Sequence, residues 1–242
     1  MSTESTAHGN LETILENLRY HLKEQRPITL YNTYEGIPIT YEAEVAMVDT
    51  EYVGVVTHPF QTVCIKQERR TYIQTRGIPD LIRAYPVSID YTNKVVMLEE
   101  LKIPQSIPND LYHSWISPKE KVGVEMDSDL GGAHQGELMT LASFEENILR
   151  VAVEVQDDLK YERHDDIQLT FKLPDSNDLV QVSGVVQSIS QLRNKEGRRM
   201  DMEGQAPMQD EVSILAYIAR QEDLAMSELK KDYMKLRKGK TI

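Results

Sequence analysis

The sequence predicts an all-β chain: two small antiparallel β-barrels joined by a short linker, with an N-terminal helix and a long C-terminal amphipathic helix. Three observations carry this. Between Ile28 and Ile103 the apolar period is two, in short runs broken by Glu35-Gly36, His58-Pro59, Gly77 and Thr92-Asn93, as short strands and their turns require. A second β run ends in a strand-turn-strand segment, Ile167–Pro174 then Leu179–Val186, whose arms alternate apolar and polar residues. From about Asp210 the apolar spacing changes to alternating threes and fours, the period of a helix.

Taken in order, residues 1–27 are a polar tail and a helix. Asn10 reads as its N-cap with Glu12 in the first turn, and Leu11, Ile14, Leu15, Leu18 and Leu22 follow at helical spacing until Pro27 ends it. Residues 28–103 form the first barrel, with strands expected at Ile28–Tyr34, Ile39–Asp49, Tyr52–Val56, Thr62–Lys66, Thr71–Thr75, Leu81–Asp90 and Lys94–Glu99. Many short strands at close spacing favour a closed barrel. Residues 104–118 hold Pro104, Pro108 and Pro118 and read as a linker. Residues 119–242 form the second barrel and its helix, with strands expected at Lys121–Met126, Gly136–Leu141, Ile148–Gln156, Asp166–Leu173, Leu179–Leu192 and around Met200-Asp201-Met202. Gly184, inside a strand, marks a bulge or a close backbone approach.

Composition excludes several functions. The net charge of −12 argues against nucleic acid as a partner. The lone cysteine, Cys64, sits between Val63 and Ile65, so no disulfide can form within the chain and a reduced, cytoplasmic setting is expected. No apolar run approaches the ~18 residues of a membrane span. The first residues lack the basic and apolar parts of a signal peptide.

Catalytic and metal-binding patterns are not found. Gly131-Gly132 before His134 reads as a turn, and so does Tyr161–Asp166, whose single histidine and carboxylates lie too close in sequence to converge from separate elements. His21, His58 and His113 read as isolated. Arg69 and Arg70 offer an anion site, because paired guanidinium forks suit phosphate; the alternative is an exposed turn balanced by Glu68. In the last helix Val212, Leu215 and Ala219 are expected to pack on the barrel. Met226, Leu229, Tyr233 and Leu236 continue the seam as an interaction surface, for a partner or for a homodimer. Lys230, Lys231, Lys235, Arg237, Lys238 and Lys240 complement the helix dipole or dock an acidic partner.

The first-barrel phrases Gln61–Ile73 and Ile78–Val87, the strand-turn-strand segment and the closing helix around Tyr217–Leu224 are together similar to two-domain flagellar-brake proteins of the PilZ family. The resemblance spans about residues 28–238. It implies a cytoplasmic, non-enzymatic regulator of motility or surface attachment, acting on a protein partner such as the flagellar motor or type IV pilus machinery. It also implies cyclic di-GMP as the ligand, gripped by an RxxxR motif in the linker and a DxSxxG motif in the second barrel. The matching positions are Leu111 and Trp115 for the arginines. For the second motif they are Thr140, Ala142 and Glu145, or one residue along, Leu141, Ser143 and Glu146. None of these supplies a cation, and the glutamates would repel phosphate. The expectation is that standard cyclic di-GMP binding is lost and that no cofactor is used. Two alternatives stay open: a receptor using a displaced site at Arg69 and Arg70, and an enzyme or enzyme subunit with an unrecognised site. Trp115, the only tryptophan, reads as a hydrophobic plug between the domains or as a stacking platform.

Overall fold

The computed structural model describes residues 3–128, 134–144, 148–156, 161–174, 176, 178–192 and 197–238. The chain resolves into two compact units. One runs to Tyr112 and includes the helix residues from Ala225 onward; the other is His113–Leu224. The sequence places the whole C-terminal helix with the second barrel, whereas the division falls inside that helix.

In the first unit, α1 (Thr3–Lys23) precedes β1 (Ile28–Tyr34), β2 (Ile37–Val48), β3 (Val53–Val56), α2 (Pro59–Glu68), β4 (Thr71–Thr75), β5 (Ile78–Asp90), β6 (Val95–Lys102) and a 3-10 turn at Asn109–Leu111. The strands close into a barrel in the order β1-β2-β3-β6-β5-β4, with β4 returning to β1. The β1–β2 hairpin turns on Glu35 (φ 51°) and Gly36 (φ 81°), the doubly positive φ of a type I′ turn that matches strand twist. Leu30, Val53, Val55, Ile73, Ile82, Val96 and Leu98 fill the barrel, and Ile14, Leu15 and Leu18 of α1 join the same core.

Two expectations are corrected here. The first helix begins at Thr3, so Asn10 is inside it and residues 3–9 are helical. Apolar periodicity marks only the packed part of a helix, while propagation beyond that part costs little. The segment Thr62–Lys66 is helical, within α2, and is not a strand. His58 caps α2 by accepting the Phe60 N–H at 3.2 Å, and Pro59 takes the first turn, where its missing N–H costs nothing. Because Gln61 through Ile65 are all buried, the run shows no amphipathic period. Short apolar runs do not separate buried helix from buried strand.

In the second unit, β7 (Trp115–Ile116) is followed by β8 (Gly123–Ser128), β9 (His134–Ser143), β10 (Leu149–Val155), β11 (Asp166–Lys172), β12 (Leu179–Gln191), β13 (Arg198–Gln205) and α3 (Met208–Lys238). Strands β10-β13-β12-β11-β8-β9 form a ring that β9–β10 pairing closes, and β7 lies along β9. The hairpin read from the sequence is β11–β12, with Lys172 opposite Leu179. Gly184 faces Gly204, and a Cβ there would stand 2.1 Å from the Glu203 carbonyl oxygen. The backbone approach expected at Gly184 is thus present, and only glycine fits it.

The packing face of α3 is corrected too. Ile214, Tyr217 and Ile218 are buried, while Val212, Leu215 and Ala219 are exposed. Residues 214–219 contain one polar-tipped side chain, Tyr217, among aliphatic ones, so the period identifies a helix without fixing which side of it faces inward.

Candidate functional site

The linker positions that the resemblance assigns to arginines fall in different units. Leu111 ends the 3-10 turn, is 2% exposed, and packs with Tyr72, Leu81 and Tyr31 in the first unit. Beside it the exposed Tyr112 meets Tyr31 edge-on, with ring centroids 5.9 Å apart. Trp115 belongs to the second unit, where β7 sets it opposite Ala142 of β9. An aliphatic side chain in a core and an indole on a strand supply no guanidinium for phosphate.

Around Trp115 the second unit assembles a cluster that sequence reasoning missed. Phe144 follows β9 directly. Its ring lies 4.3 Å from that of His113 and 5.6 Å from that of Trp115, the latter edge-on. The Arg150 guanidinium stands 4.6 Å from the Phe144 centroid, and its Nε donates to the Glu203 carboxylate. Register explains the assembly: Arg150 faces Ala142 across β9–β10 and Glu203 across β10–β13. Ser114 donates its hydroxyl to Glu222 of α3. The Trp115 Nε1–H and the Thr140 hydroxyl are buried without a partner among the described residues.

Of the second motif's positions, Thr140, Ala142 and Ser143 lie on β9, with Ala142 fully buried and the other two partly so. Glu145 and Glu146 lie outside the described residues. The cluster can present aromatic edges and an indole donor. Its cation, Arg150, pairs with Glu203, so a phosphate must displace that carboxylate to take it.

Arg69 and Arg70 sit between α2 and β4, not between two strands. Arg69 is the left-handed C-cap of α2 (φ 54°), its N–H bonded to the Ile65 carbonyl, and its side chain is exposed. Arg70 places Nε 3.8 Å from Glu68 and its guanidinium 5.7 Å from the Tyr72 centroid. Glu68 in turn accepts the Thr33 N–H at 2.5 Å, the Thr33 hydroxyl at 2.6 Å and the Asn32 amide at 3.2 Å. Glu68 therefore balances Arg70 and anchors α2 to β1. Buried Asn32 also donates to the Arg70 carbonyl at 2.7 Å, and its Oδ1 accepts from Gln61 at 2.7 Å and Thr71 at 2.8 Å.

Burial, reinforced by the nearby Glu68, pushes the Cys64 thiol well above its ordinary range, so it carries no thiolate for nucleophilic chemistry. His58, read as isolated, caps α2 and stacks on Tyr41 at 3.8 Å. Burial, then Lys94, lowers its pKa below 6.5. Among the described residues no group of three or more His, Cys, Asp and Glu side chains is placed to hold a metal, and no helix is long and apolar enough to cross a membrane. Of the distal seam of α3, Leu229 is 0% exposed and offers no surface, while Met226, Tyr233 and Leu236 are half-buried.

No protein-family model matches the chain, and no curated protein matches it. Its structural neighbours include three solved proteins. The Bacillus subtilis inhibitor of motility MotI/DgrA is 12% identical over 81% of this chain and 95% of its own, with a TM-score of 0.40. Escherichia coli YcgR, solved with cyclic di-GMP, is 11% identical over 92% of this chain and 95% of its own, also with a TM-score of 0.40. MrkH of K. pneumonia in its apo state is 10% identical over 92% of this chain and 96% of its own, with a TM-score of 0.35. At these scores the overlap carries no inference about ligand or activity.

Proposed function

We propose that this protein is a non-enzymatic regulator that works through protein contacts, in motility or surface-attachment signalling, and that it has lost standard cyclic di-GMP binding. The observation that carries the loss is the pair Leu111 and Trp115: one side chain is buried in a hydrophobic cluster and the other is held on a strand edge against Phe144. The pathway follows the sequence resemblance, and the twin-barrel architecture is consistent with it. The absence of a catalytic constellation among the described residues favours binding over chemistry. Calorimetric titration with cyclic di-GMP tests the reading. Heat should be undetectable at low-micromolar ligand. A dissociation constant near 1 μM or tighter, equivalent to about −8 kcal/mol, would overturn it.

A second reading is favoured by one observation, the Arg150 guanidinium over Phe144 beside Trp115. In that reading a displaced cation on β10 holds the nucleotide in place of linker arginines. Binding abolished by Arg150→Ala and kept by Arg70→Ala would select it.

A further inference from the structure

The outer side of α3 is cationic over its last three turns. The buried Leu229 and the bond between Tyr34 and Asp232 fix which side of the helix faces the first barrel. At about 100° per residue, Met234 lies on the side away from Leu229, and it is 47% exposed. Lys230 and Arg237, two turns apart, run along one side of Met234. Lys231 and Lys238, also two turns apart, run along the other, and all four are exposed. These four hold no ion pair among the described residues, whereas Lys235 pairs with Asp232. The carboxylates of these turns lie on the barrel side: Glu228 and Asp232, with Glu35 of the β1–β2 turn, all act on the Tyr34 hydroxyl. Asp223, exposed seven residues before Lys230, is the next acid on the outer side.

The helix dipole accounts for cations in the final turn only, because its field fades within that turn. Lys230 and Lys231 stand two turns before Lys238, beyond its reach. Lys231 and Lys235 are also four residues apart, a like-charge spacing that weakens a helix. An anion supplied from outside relieves that repulsion and pairs the open cations.

Size and surroundings select the occupant. Lys230 to Lys238 spans roughly 12 Å of helix, and the rest of the chain is strongly acidic, since the net charge of −12 already includes these cations. An extended polyanion, such as a nucleic acid or an anionic bilayer, continues past so short a face and is repelled there. The apolar side of these turns is committed to the barrel through Leu229, so no apolar face is left to enter a membrane. A short acidic protein segment fits the two rows without meeting that repulsion, and Met234 between them offers an adaptable apolar contact.

We propose that Lys230, Lys231, Met234, Arg237 and Lys238 dock a short acidic segment of a protein partner, whose carboxylates pair with the two cationic rows around an apolar side chain set on Met234. The proposal rests on the reading of this chain as a protein-contact regulator and gives that contact a place and a chemistry.

The test uses the full chain and a fluorescein-labelled peptide of Asp and Glu around a central Leu, followed by anisotropy. A dissociation constant of about 10–100 μM is expected at low salt, weakening by about tenfold or more between roughly 0.05 and 0.3 M salt as the charges are screened. Lys230→Gln/Lys231→Gln and Arg237→Gln/Lys238→Gln should each weaken binding by about three- to thirtyfold, the loss of two exposed charge pairs. Lys172→Gln, at the end of β11, should leave binding unchanged. All five positions are exposed, so melting temperatures should stay near that of the wild type. No binding by the wild type, or wild-type affinity in both face variants, would overturn the proposal. So would an equal loss with Lys172→Gln, or affinity indifferent to salt. Tighter binding of a DNA duplex or of phosphatidylserine vesicles, lost in the same face variants, would assign the face to a nucleic acid or a membrane and overturn it. A dimer in sedimentation equilibrium that both face variants dissolve would assign it to a second copy instead. Cyclic di-GMP calorimetry does not depend on these residues, so failure of this face and failure of the proposed function are read separately.

Discussion

The Tyr34 hydroxyl donates to the Asp232 carboxylate at 2.9 Å, linking the last residue of β1 to the final turns of α3. The tie lies within the first unit. Burial and then this bond raise the Tyr34 pKa, while Lys235, bonded to the other carboxylate oxygen at 2.9 Å, and Tyr34 hold Asp232 low. Leu229, one turn earlier, is fully buried. The far half of α3 is therefore structural.

Truncation after Glu222 should destabilise the first barrel. Leu229→Ala should cost about 2–5 kcal/mol, as for other buried leucines, and Tyr34→Phe about 1–3 kcal/mol, since the lost bond is to a charged acceptor. Urea unfolding measures both. A truncated chain with an unchanged midpoint would contradict this assignment and restore the distal helix as a free surface.

His58 makes the first unit pH-sensitive. Its Nδ1 accepts the Phe60 N–H, which a protonated imidazole cannot do. The folded pKa lies below the reference 6.5, so the unfolded chain binds more protons around pH 6 and stability rises with pH there. The contribution is complete above 6.5 and is lost as pH falls from 6.5 through the folded pKa. Unfolding free energies measured between pH 5 and 7.5 should show this slope, and His58→Asn, which keeps a capping acceptor, should flatten it.

Phe144 should report on Trp115. Removing its ring with Phe144→Ala strips the edge-on contact at 5.6 Å, and the emission of the single tryptophan should move to longer wavelength and quench more readily with iodide. The aromatic pairing itself is worth about 0.5–1.5 kcal/mol. Unchanged emission would mean that Trp115 is shielded by other groups.

Asn32 is the hub of the polar network beneath α2. Asn32→Ala leaves the fully buried Gln61 amide without its acceptor and the Thr71 hydroxyl with only the longer contact to the Tyr31 carbonyl at 3.5 Å. A stranded buried group costs about 1–3 kcal/mol. The expected result is a large drop in the melting temperature, and Asn32→Asp should not restore it, because its carboxylate would face the Glu68 carboxylate and the Arg70 carbonyl to which the Asn32 amide donates.

Gly184→Ala places a methyl group 2.1 Å from the Glu203 carbonyl oxygen and 2.4 Å from the Gly204 Cα. The backbone of β13 that it meets cannot yield cheaply, so β12 and β13 must separate. Overpacking of this kind costs about 1–3 kcal/mol or more, and amide exchange in β13 should accelerate.

Local patterning was enough to recover much of this molecule. Period-two runs with turn residues at Glu35-Gly36 and Thr92-Asn93 mark most strands of the first barrel, because one face of each strand must be apolar and the chain can reverse cheaply only at such residues. The β11–β12 hairpin and the glycine at 184 were legible for the same reason, as was the missing positive charge at Leu111 and Trp115. What lay beyond the sequence depends on partners distant along the chain. Whether Gln61–Ile65 form a helix or a strand turned on the cap at His58 and on burial from all sides. Whether Leu215 or Ile214 faces inward was undetermined while both sides of α3 were apolar. The Phe144–Trp115–Arg150 cluster, the network around Asn32 and the Tyr34–Asp232 tie exist only once barrel closure sets the registers, since register brings together residues whose separation along the chain says nothing of their distance in space.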